Sequence, residues 1–176
     1  MQFDEVLRTF ATFFERENLR YALIGGLAVQ AWGRSRLTKD VDLAVDREMQ
    51  SRIVTFAESL GYETLYVSEA YSNHAHPRTE FGRVDFMYLS GDTAERIFAA
   101  TQEKTVVGNM QMPVASAEHL AMMKAMAMKN FPHRALFEGE DVRVLLNAPG
   151  VDRKAVRDYY ERHGLLDLYD AIERAR

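Results

Sequence analysis

Asp40 and Asp42 stand two residues apart at the edge of the apolar run Val41–Val45. A strand there aims both carboxylates from one face. Two acids that close repel and raise each other's pKa unless a cation sits between them. Hard oxygen ligands at this spacing suit Mg²⁺, which takes one or two carboxylates together with phosphate oxygens and water; Mn²⁺ is the alternative. Upstream, Gly25-Gly26 falls where the apolar run Tyr21–Ile24 gives way to the helix-like stretch Leu27–Trp32. Bare backbone amides at such a strand-to-helix turn receive phosphate oxygens. A cation site beside a phosphate cradle implies a nucleoside triphosphate held through metal. The third acid of a two-metal site would be Asp85, alone in GRVDFMYL between Val84 and Phe86. There it would share the metals and help deprotonate an acceptor hydroxyl.

The elements that must position these residues follow from periodicity. Phe3, Val6, Leu7, Phe10, Phe13 and Phe14 recur at helical spacing and leave one buried stripe over residues 3–18. Strands are expected at 21–24 and 41–45, the second followed by a helix over 47–60 that Asp46 would cap and Gly61 would end. Weaker strands are expected at 63–67 and 74–79 and a stronger one at 83–89. A short helix to Ala100 and a hairpin through Gly108-Asn109 come next. From Ser116 onward the pattern is helical, with helices near 116–130, 135–147, 152–162 and 165–175. The expected architecture is α/β (α+β): a short mixed sheet flanked by helices over residues 1–113, then a C-terminal helical subdomain over 114–176 packed on that core as one wall of the cleft.

Composition narrows the function classes. The chain has 176 residues, 47% hydrophobic and 27% charged, enough for one domain with a substantial core. It has no cysteine, which excludes disulfides, a thiol nucleophile and cysteine-ligated metals. A net charge of −4 argues against a broad nucleic-acid-binding surface. The opening MQFDEVLRTF has no basic lead or apolar signal core, and no run reaches membrane-spanning length. A cytoplasmic protein with no membrane association is the expectation.

The segment Ile24–Asp46, IGGLAVQAWGRSRLTKDVDLAVD, resembles the nucleotidyltransferase superfamily of DNA polymerase β type. Its signature is a Gly-Gly or Gly-Ser turn, then Asp-x-Asp, then a third acid on a later strand. Thirteen residues separate Gly26 from Asp40. The wording Arg36-x-Thr38-x-Asp40-x-Asp42 looks most like the AbiEii-type bacterial branch, which includes abortive-infection and toxin nucleotidyltransferases. The resemblance covers roughly residues 21–89. It implies transfer of a nucleoside monophosphate from an NTP to an acceptor hydroxyl, with pyrophosphate released. The acceptor would be a tRNA 3′ end, a protein or a small molecule such as an aminoglycoside, and an antitoxin protein is an implied partner. Members with Gly-Ser use the serine on the phosphate; Gly26 has no side chain, so backbone amides must serve. The resemblance also sets Arg36 and Thr38 by the nucleotide. It extends to the apolar helix HLAMMKAMAMKN, whose Lys124 would face the triphosphate, and to Asp141, at the site edge or paired to Lys124.

Competing readings attach to several residues. His74-x-His76 lacks further ligands nearby and reads as exposed histidines on a loop or strand. Arg34 and Lys39 flank Arg36 in a basic loop that either clamps phosphate or is simply solvated. Tyr159, Tyr160 and Tyr169 read as packing residues. The rival to an enzyme is a non-catalytic nucleotide- or partner-binding module that keeps the fold.

Overall fold

The computed structural model describes residues 2–175, which divide into two compact units. The first comprises residues up to Ala31 and Arg36–Ala115; the second comprises Trp32–Ser35 and Ser116 onward.

The first unit is built on one seven-stranded mixed sheet. Its elements are α1 (Phe3–Arg16), β1 (Tyr21–Ile24), α2 (Gly25–Ala31), β2 (Asp40–Asp46), α3 (Gln50–Ser59), β3 (Glu63–Val67), β4 (Tyr71–Ala75), β5 (Arg83–Leu89), α4 (Gly91–Ala99), β6 (Gln102–Thr105) and β7 (Gln111–Val114). The strands lie in the order β3-β4-β5-β2-β1-β7-β6. β2 is central, antiparallel to β1 and parallel to β5.

Period-two alternation divides the two faces of β2 and β5. Val41, Leu43 and Val45 and their register partners Val84, Phe86 and Tyr88 are buried on one face. Phe10 of α1 packs there, its ring 5.4 Å from Phe86, 5.7 Å from Phe56 and 6.0 Å from Tyr62. Phe13 stacks on Phe56 at 3.9 Å. This aromatic layer is the buried stripe of α1, and it commits Asp40, Asp42 and Asp85 to the other face.

Three sequence expectations differ from the structure. His74 is not exposed: it is fully buried on β4, its Nδ1 3.1 Å from Thr64 Oγ1 and its Nε2 2.8 Å from Ser72 Oγ. Burial holds the imidazole below its ordinary pKa, with Asp85 and Glu58 pulling the other way. The strand carrying it ends at Ala75, ahead of Pro77, rather than running to Thr79. Asp46 does not cap a helix. It accepts two bonds from Arg20, at 2.9 Å and 2.8 Å, so a long-range arginine outcompetes the local backbone.

The second unit is helical: α5 (Ala117–Asn130), α6 (Ala135–Leu146), α7 (Arg153–Arg162) and α8 (Leu166–Arg174). Ser116 caps α5 by accepting from the His119 amide, and Asp152 caps α7 by accepting from Ala155. Tyr160 is buried at its centre, with its hydroxyl donating to the Ala121 carbonyl at 3.3 Å. No helix among the described residues is long and apolar enough to cross a membrane.

Candidate active site

Two registers assemble the site. The antiparallel pairing of β1 and β2 sets Ile24 opposite Asp42, so the chain turns at Gly25 directly beside that carboxylate. Gly25 has φ +65°, and a Cβ built on it would overlap the Asp42 side chain, reaching within 2.7 Å of the Asp42 Cβ. Glycine is therefore required twice over, by conformation and by space. Gly26 is equally close to Thr38: a Cβ there would come within 2.7 Å of Oγ1. The glycine pair thus lies against Asp42 on one side and Thr38 on the other, as bare backbone opening α2.

The parallel register of β2 and β5 pairs Asp42 with Asp85 and Asp40 with Arg83. Adjacent strands lie about 4.8 Å apart, so Asp42 and Asp85 are direct neighbours on one face. Arg83 reaches Asp85 Oδ2 at 3.4 Å and Asp40 Oδ1 at 4.0 Å. Asp85 Oδ1 is buried with no hydrogen-bond partner. Burial lifts the Asp40 carboxyl above its ordinary pKa; Arg83 and Lys39 oppose the shift and Asp85 adds to it.

A divalent cation fits this donor set chemically. The three carboxylates are hard oxygen donors, they share one face, and one buried oxygen lacks any partner. Among the described residues no three such groups already converge on one point. Arg83 is paired with Asp40 by position in the register. The sequence reading overlooked it, although the signal was present: Arg83 precedes Asp85 by two and must share its face.

The remaining candidates are Arg36, Lys124 and Asp141. The Arg36 carbonyl accepts from Gln30 Nε2 at 2.8 Å, which pins the loop, and its guanidinium makes a long 3.4 Å contact to the Leu37 carbonyl. Lys124 and Asp141 lie in a buried ion cluster of the helical unit. Lys124 Nζ is 2.5 Å from Glu138 and 2.8 Å from Asp141, Arg134 pairs with Glu138, and Arg34 pairs with Asp141. Arg34 also donates to the Phe137 carbonyl at 3.2 Å. A lysine in an all-round apolar helix needs an anion, and here two carboxylates of α6 supply it.

The chain has the fold of solved nucleotidyltransferases. It matches the antibiotic-resistance factor ANT(2″)-Ia in its solution structure with a TM-score of 0.72 and 18% identity, over 98% of this chain and 97% of that one. Against the crystal structure of ANT(2″)-Ia with adenylyl-2″-tobramycin the TM-score is 0.70 at 16% identity, over 90% and 97% of the two chains. The lincomycin-bound lincosamide adenylyltransferase LnuA matches with a TM-score of 0.57 and 17% identity, over 81% and 96%. No protein-family model and no curated protein sequence matches the chain.

Two outcomes follow from this geometry. Gly25→Ala forces a β-carbon into the Asp42 carboxylate at positive φ, and urea denaturation will show a loss of about 1–3 kcal/mol. Asp40→Asn tests the carboxyl lifted by burial. A raised folded-state pKa means stability is complete below the ordinary value of 3.8 and declines as pH rises through the folded value. In metal-free buffer Asp40→Asn will therefore melt higher than the parent at pH 7, and the gain will shrink as pH falls toward 4.

Proposed function

We propose that this chain is a Mg²⁺-dependent nucleotidyltransferase, moving a nucleoside monophosphate from an NTP to an acceptor hydroxyl. The observation that carries this is that Asp40, Asp42 and Asp85 share one sheet face, with the Gly25-Gly26 turn against Asp42. The fold shared with ANT(2″)-Ia and LnuA supports it.

Asp40, Asp42 and Asp85 would hold the metal, Mg²⁺ or Mn²⁺, which supplies charge neutralisation on the phosphates and on the developing oxyanions. The Gly25 and Gly26 amides, unobstructed by side chains, take phosphate oxygens at the head of α2. Arg36 and Thr38, on the loop between α2 and β2, orient the triphosphate from that side. The acceptor oxygen attacks the α-phosphorus, the α–β bridging bond breaks, and pyrophosphate leaves. Asp85 accepts the hydroxyl proton, consistent with a buried carboxylate oxygen that has no hydrogen-bond donor of its own. Most of the rate enhancement in such a site comes from positioning and charge stabilisation.

The acceptor we favour is a small molecule bearing hydroxyl groups. The supporting observation is a match to ANT(2″)-Ia, solved with adenylyl-2″-tobramycin, over nearly the full length of both chains. A tRNA or protein acceptor in a toxin–antitoxin setting is the second reading, favoured by the AbiEii-like wording Arg36-x-Thr38-x-Asp40-x-Asp42.

The test is transfer of α-labelled nucleotide, from each NTP with Mg²⁺, to aminoglycosides, lincosamides, total tRNA and a protein lysate. Label will enter a small-molecule acceptor, and Asp42→Asn will reduce it by about 10³-fold with folding intact by circular dichroism. Label in tRNA or protein alone would shift the reading to the toxin-like acceptor. No transfer in any arm, together with no Mg·NTP binding, would leave the non-catalytic binding module in its place.

A further inference from the structure

Arg83 stands at the fourth corner of the acid patch. The register places it opposite Asp40, as Asp85 is opposite Asp42, and parity puts all four side chains on one face. These four side chains carry three formal negative charges and one positive. Among the described residues, the ion pairs and hydrogen bonds of the Arg83 guanidinium go to Asp85 Oδ2 at 3.4 Å and Asp40 Oδ1 at 4.0 Å. Both distances exceed the roughly 2.7–2.9 Å of a full charge-assisted bond, so the cation is shared loosely between two acids. Arg20 makes the contrast within the same sheet: it grips Asp46 through two bonds of 2.9 Å and 2.8 Å. The Arg83 side chain is 46% exposed, so its head has room to leave.

Resting on the reading above, we propose that Arg83 is the internal counter-ion of the metal-free site and competes with the divalent cation for Asp40 and Asp85. Three carboxylates on one small face repel one another, and Arg83 offsets part of that repulsion while the cation is absent. One arginine does not balance the two acids that it contacts, so they still attract a divalent ion. A metal at roughly 2.0–2.1 Å from carboxylate oxygens draws far more electrostatic energy from them than a guanidinium at longer range. Arg83 gives up both acids and swings outward on its exposed stem.

The role makes opposite demands on stability and on metal affinity, which separates it from plain packing. Arg83→Met is compared with the parent by melting in EDTA and in saturating Mg²⁺, and by Mn²⁺ titration with electron paramagnetic resonance of the free ion. Arg83→Met will melt lower in EDTA, and the deficit will narrow in Mg²⁺. It will bind Mn²⁺ roughly two- to fivefold tighter, the scale of partly exposed ion pairs no longer surrendered. Arg83→Lys, which keeps charge without the planar fork, will fall between. Equal or weaker Mn²⁺ binding by Arg83→Met overturns the counter-ion role while a metal-binding parent leaves the enzyme reading standing. Unchanged Mn²⁺ binding with weakened NTP binding also overturns it, making Arg83 a phosphate ligand. A parent that binds no Mn²⁺, alone or with NTP, overturns both.

Discussion

The parallel register between β2 and β5 is the constraint on which the site depends. It sets Leu43 beside Phe86 and Asp42 beside Asp85 in the same alignment, so the core and the acid face are specified together. A slip of one residue would turn Asp85 into the aromatic layer around Phe10 and expose Phe86 on the opposite face. Burying a carboxylate there without a partner would cost several kcal/mol, besides the lost apolar burial of Phe86. The hydrophobic face of the sheet thus enforces the chemistry of the polar one.

Charge accumulation on that face is the cost of the arrangement. Asp40 is pushed toward its neutral form by burial, and Asp85 keeps an oxygen without a donor. A protein selected for stability alone would not retain such groups. Their neighbours show how the chain contains the cost: Asp46, on the same parity of β2, takes two short bonds from Arg20, which also pairs with Glu95, whereas Asp40 and Asp85 share one loosely held arginine.

Much of this was legible in the sequence because it is local. The Asp40–Asp42 spacing, the Gly25-Gly26 break and the alternation through Arg83–Leu89 fix strands and faces without knowledge of distant partners. Helix positions in residues 116–175 also follow from periodicity. What escaped was set by long-range pairing. Asp46 looked like a cap until Arg20, 26 residues away, claimed it. His74 looked exposed until β3 and β4 buried it between Thr64 and Ser72. Arg83 carried its own parity signal, but its pairing with Asp40 needs the β2–β5 register. The pairing of Lys124 with Asp141 was among the sequence readings, but the part of Glu138 required the packing of α5 on α6, which spacing within one helix does not reveal.

We propose that the face shared by Asp40, Asp42 and Asp85 is where a metal–nucleotide complex binds. Anomalous diffraction at the manganese edge, from crystals grown with Mn²⁺ and an NTP analogue carrying a non-hydrolysable α–β bridge, tests it directly. A Mn²⁺ peak is expected within about 2.5 Å of oxygens from at least two of these aspartates, with phosphate density against Gly25-Gly26. Nucleotide bound elsewhere, or a face without manganese at saturating concentrations, would contradict it.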